Sequence, residues 1–355
     1  MKRTDSEEEK RVRGIKNCLI RLLNSPTVDV DKLDYIARDT QMSGYDNVVL
    51  DNERLLDSIC FAVNEDGVCF PAFRKSAISI ISNVILAKNL QARWIVNHPV
   101  VLYDAYLLRR AIGISIKCMF DKECTMLAGI SSFDMLVNRI FSHEALSKDG
   151  IVLNDRHIAL LSDIELLSWM KQNISNKEVS EYFSRDERKS PIWKSNEEFL
   201  FYLNSDEEKA IAVSSFMAPL LTYLSEIEDL YSAKKINRDL AYKIEEEDVD
   251  GKEELLEILE ILNSYTDEQG NSSFEYVILP AKSSFFAKIN AKHIYIRFGD
   301  DEHQYTDYHS IKEESPEVNR KRYEFFYLYS SGKIEARHFL RYLYNKINDS
   351  YEIRT

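Results

Sequence analysis

The sequence predicts a mainly helical protein whose C-terminal lobe carries a small antiparallel sheet. Only 10 Gly and 7 Pro interrupt 355 residues, and long stretches repeat apolar residues at helical spacing. Between about residues 274 and 330 the segments "FEYVILP", "SSFFAKIN" and "KHIYIRF" are instead dense in Tyr, Phe, Ile and Val, the composition of strands. The texture also changes near residue 175, where "RDERKSPIWKSNEEF" is polar and loop-like. Two domains are therefore expected: a helical one over 1–175, and a mixed lobe over 176–355 that holds the sheet and a final helix.

Each element has a local reason. Residues 10–24 are amphipathic and helical. Pro26 and Thr27 suit a helix boundary before a second helix carrying "DVDKLDYIARD". "NERLLDSICFAV" reads as helix or short strand, and Asp66-Gly67 between apolar runs signals a hairpin turn. Residues 75–96 read as one long apolar-faced helix, with Pro99 either kinking it or starting another that runs to about Lys117. Residues 132–172 give two shorter helices, the second N-capped by Ser162 with Glu165 at the capping-box position. Helices follow at about 206–232 and 251–264, then the loop "SYTDEQGNSS" and the strands. "EFFYLYSSGKIEARHFLRYLYNKI" closes the chain with a strand or helix, a turn at Gly332 and a final helix.

The formal net charge of −13 disfavours nonspecific binding to DNA or anionic lipid. The five cysteines have no CxxC or Cys/His zinc spacing, so reduced thiols are expected. The first residues, "MKRTDSEEEKRVRG", lack the apolar region of a signal peptide, and no run of about 18 apolar residues occurs. A cytoplasmic protein without a membrane or nucleic-acid partner is the expectation.

The segment "DVDKLDYIARD" is unusual in its spacing. Asp31, Tyr35 and Asp39 stand at i, i+4 and i+8, on one face of a helix, while Leu33, Ile36 and Ala37 turn toward a core. A solvated face of an ordinary amphipathic helix has the same pattern. Elsewhere, His98 in "VNHPVV" reads as a structural histidine, and "DDEHQYTDYH" at 300–309 reads as a loop, its acids and histidines matching no standard metal spacing. No GxGxxG, Walker A or GxSxG motif occurs.

With "GYDNVVLDNERLLDSI", "AKNLQARWIVNHPVV" and "LLSDIELLSWM" following it, "DVDKLDYIARD" resembles the HD-domain deoxynucleotide triphosphohydrolases over about residues 15–175. The resemblance implies an HD-like helical core. It also implies roles: Asp31 as a metal ligand, Lys32 and Lys88 on substrate phosphate, Tyr35 on the deoxyribose, Asp39 on the 3′-hydroxyl, and Asn97 near the base. These types suit the chemistry, since a hard divalent cation takes carboxylates and a triphosphate takes cations.

One departure is large. None of the seven histidines precedes Asp31, and none is followed by Asp. The family's other metal ligands, a His and a His-Asp pair, lie upstream of this helix, so the chain corresponds to the later part of that core. One carboxylate does not hold an activated metal–water pair. The expected function is that of a triphosphohydrolase-like protein, inactive alone, that binds deoxynucleotide weakly. A divalent metal of the Mg, Mn or Fe class enters only if a partner chain bearing the HD motif supplies ligands; a homo-oligomer is the other expected assembly. A catalytically dead nucleotide-binding or regulatory partner, a helical interaction scaffold, and a truncated form of a full-length enzyme stay open.

Overall fold

The computed structural model describes residues 7–24, 28–44, 50–63, 69–123, 133–153, 156–160, 162–184, 188–226, 235–236, 238–246, 248–272, 274–281, 294–299, 301–304 and 325–354. In chain order the elements are α1 (Glu7–Leu23), α2 (Val30–Ser43), α3 (Asn52–Asp57), β1 (Ile59–Val63), β2 (Cys69–Arg74), α4 (Ile78–Gln91), α5 (Pro99–Glu123), α6 (Phe133–Ile140), β3 (Ile151–Leu153), β4 (Arg156–Ile158), α7 (Asp163–Met170), α8 (Lys177–Phe183), β5 (Ser190–Pro191), α9 (Asn196–Tyr202), α10 (Glu207–Glu226), β6 (Lys235–Ile236), α11 (Arg238–Glu246), α12 (Lys252–Asn263), β7 (Tyr276–Pro280), β8 (Tyr295–Phe298), β9 (Asp301–Gln304), β10 (Phe326–Ser330) and α13 (Ala336–Arg354). The protein is mainly helical, with antiparallel pairing in its C-terminal region.

The chain divides into two compact units, Met1–His98 with Lys282–Lys321, and Pro99–Ala281 with Arg322–Thr355. This differs from a boundary at residue 175. Helix α5 packs on α8, which keeps residues on either side of 175 together, and the segment carrying β8 returns to the first unit. The pairing that returns it is parallel, Phe73 opposite Ile296 and Arg74 opposite Arg297. The strands expected to form one sheet over 274–330 are therefore shared between two. One has the order β1-β2-β8-β9 and the other β5-β10-β7-β6. The segment "SSFFAKIN" and the Asp66-Gly67 turn lie outside the described residues; the β1–β2 hairpin itself is present, with Val63 opposite Cys69.

In the first unit the core is formed by Leu33 and Ile36 of α2, Leu55 of α3, Phe73 of β2, Ile81 and Val84 of α4, and Ile296 of β8. Helix α2 is well bounded. Asp29, extended at φ −133°, caps it by accepting from the Lys32 backbone N–H at 2.8 Å. Gly44, at φ 70°, ends it in the left-handed conformation that glycine adopts without strain. The expected 75–96 helix has three parts: a 3-10 turn over Lys75–Ala77, then α4, then a π-helical turn over Ala92–Val96. Helix α5 then begins afresh at Pro99, a first-turn position where proline has no hydrogen bond to lose.

Helix α1 lies against β2. Its inner face carries Gly14, where a Cβ would stand 3.0 Å from the Cys69 Cβ, and the buried Cys18. Its outer face is apolar and uncovered among the described residues: Val12, Ile15, Leu19, Ile20 and Leu23 are all exposed, Leu23 to 64%.

In the second unit, β7 and β10 are buried along almost their whole length. Trp193, Phe199, Tyr265, Tyr276 and Phe339 fill the core around them, together with Phe325, Phe326, Tyr327, Leu328 and Tyr329 of the aromatic run itself. A β3–β4 hairpin, with Ile151 opposite Ile158, stands where two helices alone were expected between residues 132 and 172. Ser162 is the N-cap of α7, but its hydroxyl donates to the Glu165 carboxylate and accepts no backbone N–H; a side-chain pair stands in place of the reciprocal capping box.

Candidate functional site

Three of the singled-out residues come together where α2 packs on α4. The Lys88 ammonium lies 4.3 Å from the centroid of the half-buried Tyr35 ring. Its Nζ donates to Gln91 Oε1 at 2.8 Å, and Gln91 Nε2 donates to Asp39 Oδ2 at 2.7 Å. Gln91 is buried and ties the cation of α4 to the carboxylate of α2. The sequence reading missed it, although it follows Lys88 by three residues and therefore shares its helix face.

The face is electrostatically mixed. Burial, followed by the carboxylates of Asp29, Asp31 and Asp39, pushes the Tyr35 hydroxyl above its ordinary pKa. Tyr35 is thus a neutral ring with one surface against a cation. Such a ring can stack on a flat apolar ligand face, and Lys88 and Asp39 offer a cation and an acceptor beside it.

The other singled-out residues are placed differently. Lys32 is buried, and its ammonium pairs with Asp29 Oδ2 at 2.6 Å, Asp29 being 3% exposed. The pair belongs to the start of α2, and Lys32 does not present its charge to solvent. Asn97 is 3% exposed. Its backbone N–H and its side-chain Nδ2 both donate to the Ala92 carbonyl, at 2.9 and 3.0 Å. Asn97 therefore closes the π-helical turn, and its amide is committed to the backbone. His98 is half-buried beyond it.

Asp31 is exposed on the same helix as Tyr35 and Asp39. Among the described residues no three His, Cys, Asp or Glu side chains gather as a metal site. A lone solvated carboxylate does not fit a resident catalytic metal, so no chemistry is assigned through one. In the second acidic stretch, His303 lies edge-on to Phe298 with centroids 6.1 Å apart; residues 305–309 lie outside the described set. Among the described residues no helix is long and apolar enough to cross a membrane.

No protein-family model matches this chain, and no curated protein matches it.

Proposed function

We infer that the chain is the nucleotide-side part of a triphosphohydrolase-like protein of the cytoplasm, resembling the HD-domain family, that binds deoxynucleotide weakly and does not hydrolyse it alone. The observation that carries this reading is the convergence of Tyr35, Asp39 and Lys88 at the α2–α4 contact. They are drawn from positions about fifty residues apart, and they offer a stacking ring, an acceptor and a cation to one ligand. A deoxyribose would lie on Tyr35 with its 3′-hydroxyl toward Asp39, and phosphate would lie toward Lys88.

Hydrolysis would need a second chain bearing the His-Asp ligands that approaches the exposed Asp31. The uncovered apolar face of α1 supports such an assembly, since a continuous apolar stripe is unusual on a soluble monomer. Expected affinity for the chain alone is roughly 0.1–1 mM, or about 4–5.5 kcal/mol. dGTP is expected to bind better than GTP, because Tyr35 would crowd a 2′-hydroxyl.

One observation favours a second reading. Gln91 already links Lys88 to Asp39, so the polar groups satisfy one another without a ligand, as in a scaffold helix pair. Titration of dGTP and GTP into the wild type and Tyr35→Ala separates the two. Preference for dGTP, lost in the variant, supports the nucleotide reading. Equal affinities for both nucleotides, unchanged by the substitution, would leave the scaffold. Release of inorganic triphosphate by the purified chain, abolished by Asp31→Ala, would overturn the dependence on a partner.

A further inference from the structure

The sulfurs of Cys18, on the inner face of α1, and Cys69, at the start of β2, are 3.3 Å apart, with the Cys18 thiol donating to Cys69. Both are reduced. Two thiols 51 residues apart in sequence are thus held in contact by tertiary structure. The contact is enforced by glycine: a side chain at Gly14, one turn before Cys18, would press on the Cys69 Cβ at 3.0 Å. Cys18 is fully buried, whereas Cys69 is partly open to solvent.

We propose that Cys18 and Cys69 are an oxidative modification site, a dithiol that closes to an intramolecular disulfide in the presence of a peroxide and latches α1 to the β1–β2 hairpin. The proposal does not depend on the nucleotide reading. The Cys69 sulfur, the more accessible, attacks the peroxide; its S–O bond forms as the O–O bond breaks, giving a sulfenic acid and one water. The Cys18 sulfur then attacks the Cys69 sulfur. The S–S bond forms, the S–O bond breaks, and hydroxide leaves with the Cys18 proton as a second water. Two thiols are oxidised by two electrons and one peroxide is reduced to two waters. Burial, with the hydrogen bond to Cys69, pushes the Cys18 thiol up to about 12, so the second step should quicken as the pH is raised.

The closed loop would enclose α2, α3 and β1. It would also fix α1, whose outer face is an apolar stripe uncovered among the described residues. In a reduced chain α1 is held to the hairpin without a covalent bond. In an oxidised chain it cannot leave the hairpin.

The test is peptide mapping of the full chain under non-reducing conditions after hydrogen peroxide treatment. A Cys18–Cys69 linked peptide is expected, reversed by dithiothreitol, retained in Cys60→Ser and absent in Cys18→Ser. The melting temperature of the wild type should rise on oxidation by roughly 5–10 °C, and that of Cys69→Ser should not. Gly14→Leu, which forces α1 away, should slow linkage at least severalfold while both thiols remain available to alkylation. A linked peptide joining Cys69 to Cys60, oxidation that stops at sulfinic acid, or linkage in Gly14→Leu at the wild-type rate would each overturn the proposal.

Discussion

Lys88 divides its ammonium between two neighbours, the Tyr35 ring 4.3 Å away and the Gln91 carbonyl oxygen at 2.8 Å. One cation therefore couples α2 to the last turn of α4 through an aromatic surface and an amide. Lys88→Met keeps the length of the side chain and removes both attractions. We expect a loss of about 1 kcal/mol in urea unfolding, the scale of one partly exposed cation–π contact with a hydrogen bond. Weakened dNTP binding in that variant, at unchanged secondary structure, would place the ligand against the same nitrogen. A variant with full affinity would remove Lys88 from the site.

The Asp29–Lys32 pair gives an asymmetric expectation. Asp29→Ala deletes the helix cap and leaves the Lys32 ammonium buried without its carboxylate, which should cost about 3–5 kcal/mol. Lys32→Met should cost far less, since Asp29 still caps α2. Denaturant titration of the two variants checks this ordering. Equal losses would mean that Lys32 is neutralised by a group other than Asp29.

Asn97 is expected to act on stability and not on ligand. Removing its amide in Asn97→Ala leaves the Ala92 carbonyl with the backbone donor only, at a cost of about 1–2 kcal/mol. Nucleotide affinity measured at a temperature where the variant is folded should match the wild type. A selective loss of affinity for one base, with normal stability, would restore a base-reading role.

Stability should fall in alkali. The Cys18 thiol is pushed by burial from an ordinary value of 9.0 to about 12, and the Tyr265 hydroxyl, chiefly by burial, from 10.0 to about 12. The folded protein keeps these protons at pH values where the unfolded chain has released them. Stability is then whole below pH 9 and declines as pH rises toward 12. In Cys18→Ser the onset should move to about pH 10, where Tyr265 begins to contribute. Thermal melts at half-unit intervals of pH report the onset, and an unchanged onset would deny the thiol its burial.

Much of the helical layout was legible because it rests on local rules. Pro99 marks a helix start that proline geometry dictates, while Pro26 and Thr27 placed the boundary of α2 a few residues before its cap, Asp29. The gathering of Tyr35 with Asp39 was legible from spacing. Their junction with Lys88 was drawn from resemblance and not from periodicity. Gln91 escaped because an amide carries no charge signature; its role exists only once α2 and α4 are packed. Lys32 was given its phosphate role by resemblance alone. Its pairing with Asp29 is buried only once the unit is packed, and no local rule marks that burial. The π-helical turn at Ala92–Val96 has the same composition as an α-helix, and its mark, Asn97 folding back on Ala92, is one residue long. The sheet was mis-assembled because strand composition says nothing of partners: β7 and β8 are alike in sequence, yet one meets β10 and the other β2.

The parallel pairing of Phe73 with Ile296 bears on the order in which the protein can be made. A ribosome that has released α1, α2 and α4 still has about 200 residues to translate before β8 emerges. Until then β2 presents an unmatched edge, and Phe73 and Ile81 lack the cover of Ile296. The first unit cannot finish folding in the order of synthesis, and its high contact order predicts a slow, late step. A nascent chain stalled between residues 91 and 294 would carry every residue of the α2–α4 site and no complete first unit around it, which makes the segment carrying that site a client for chaperones through that part of elongation.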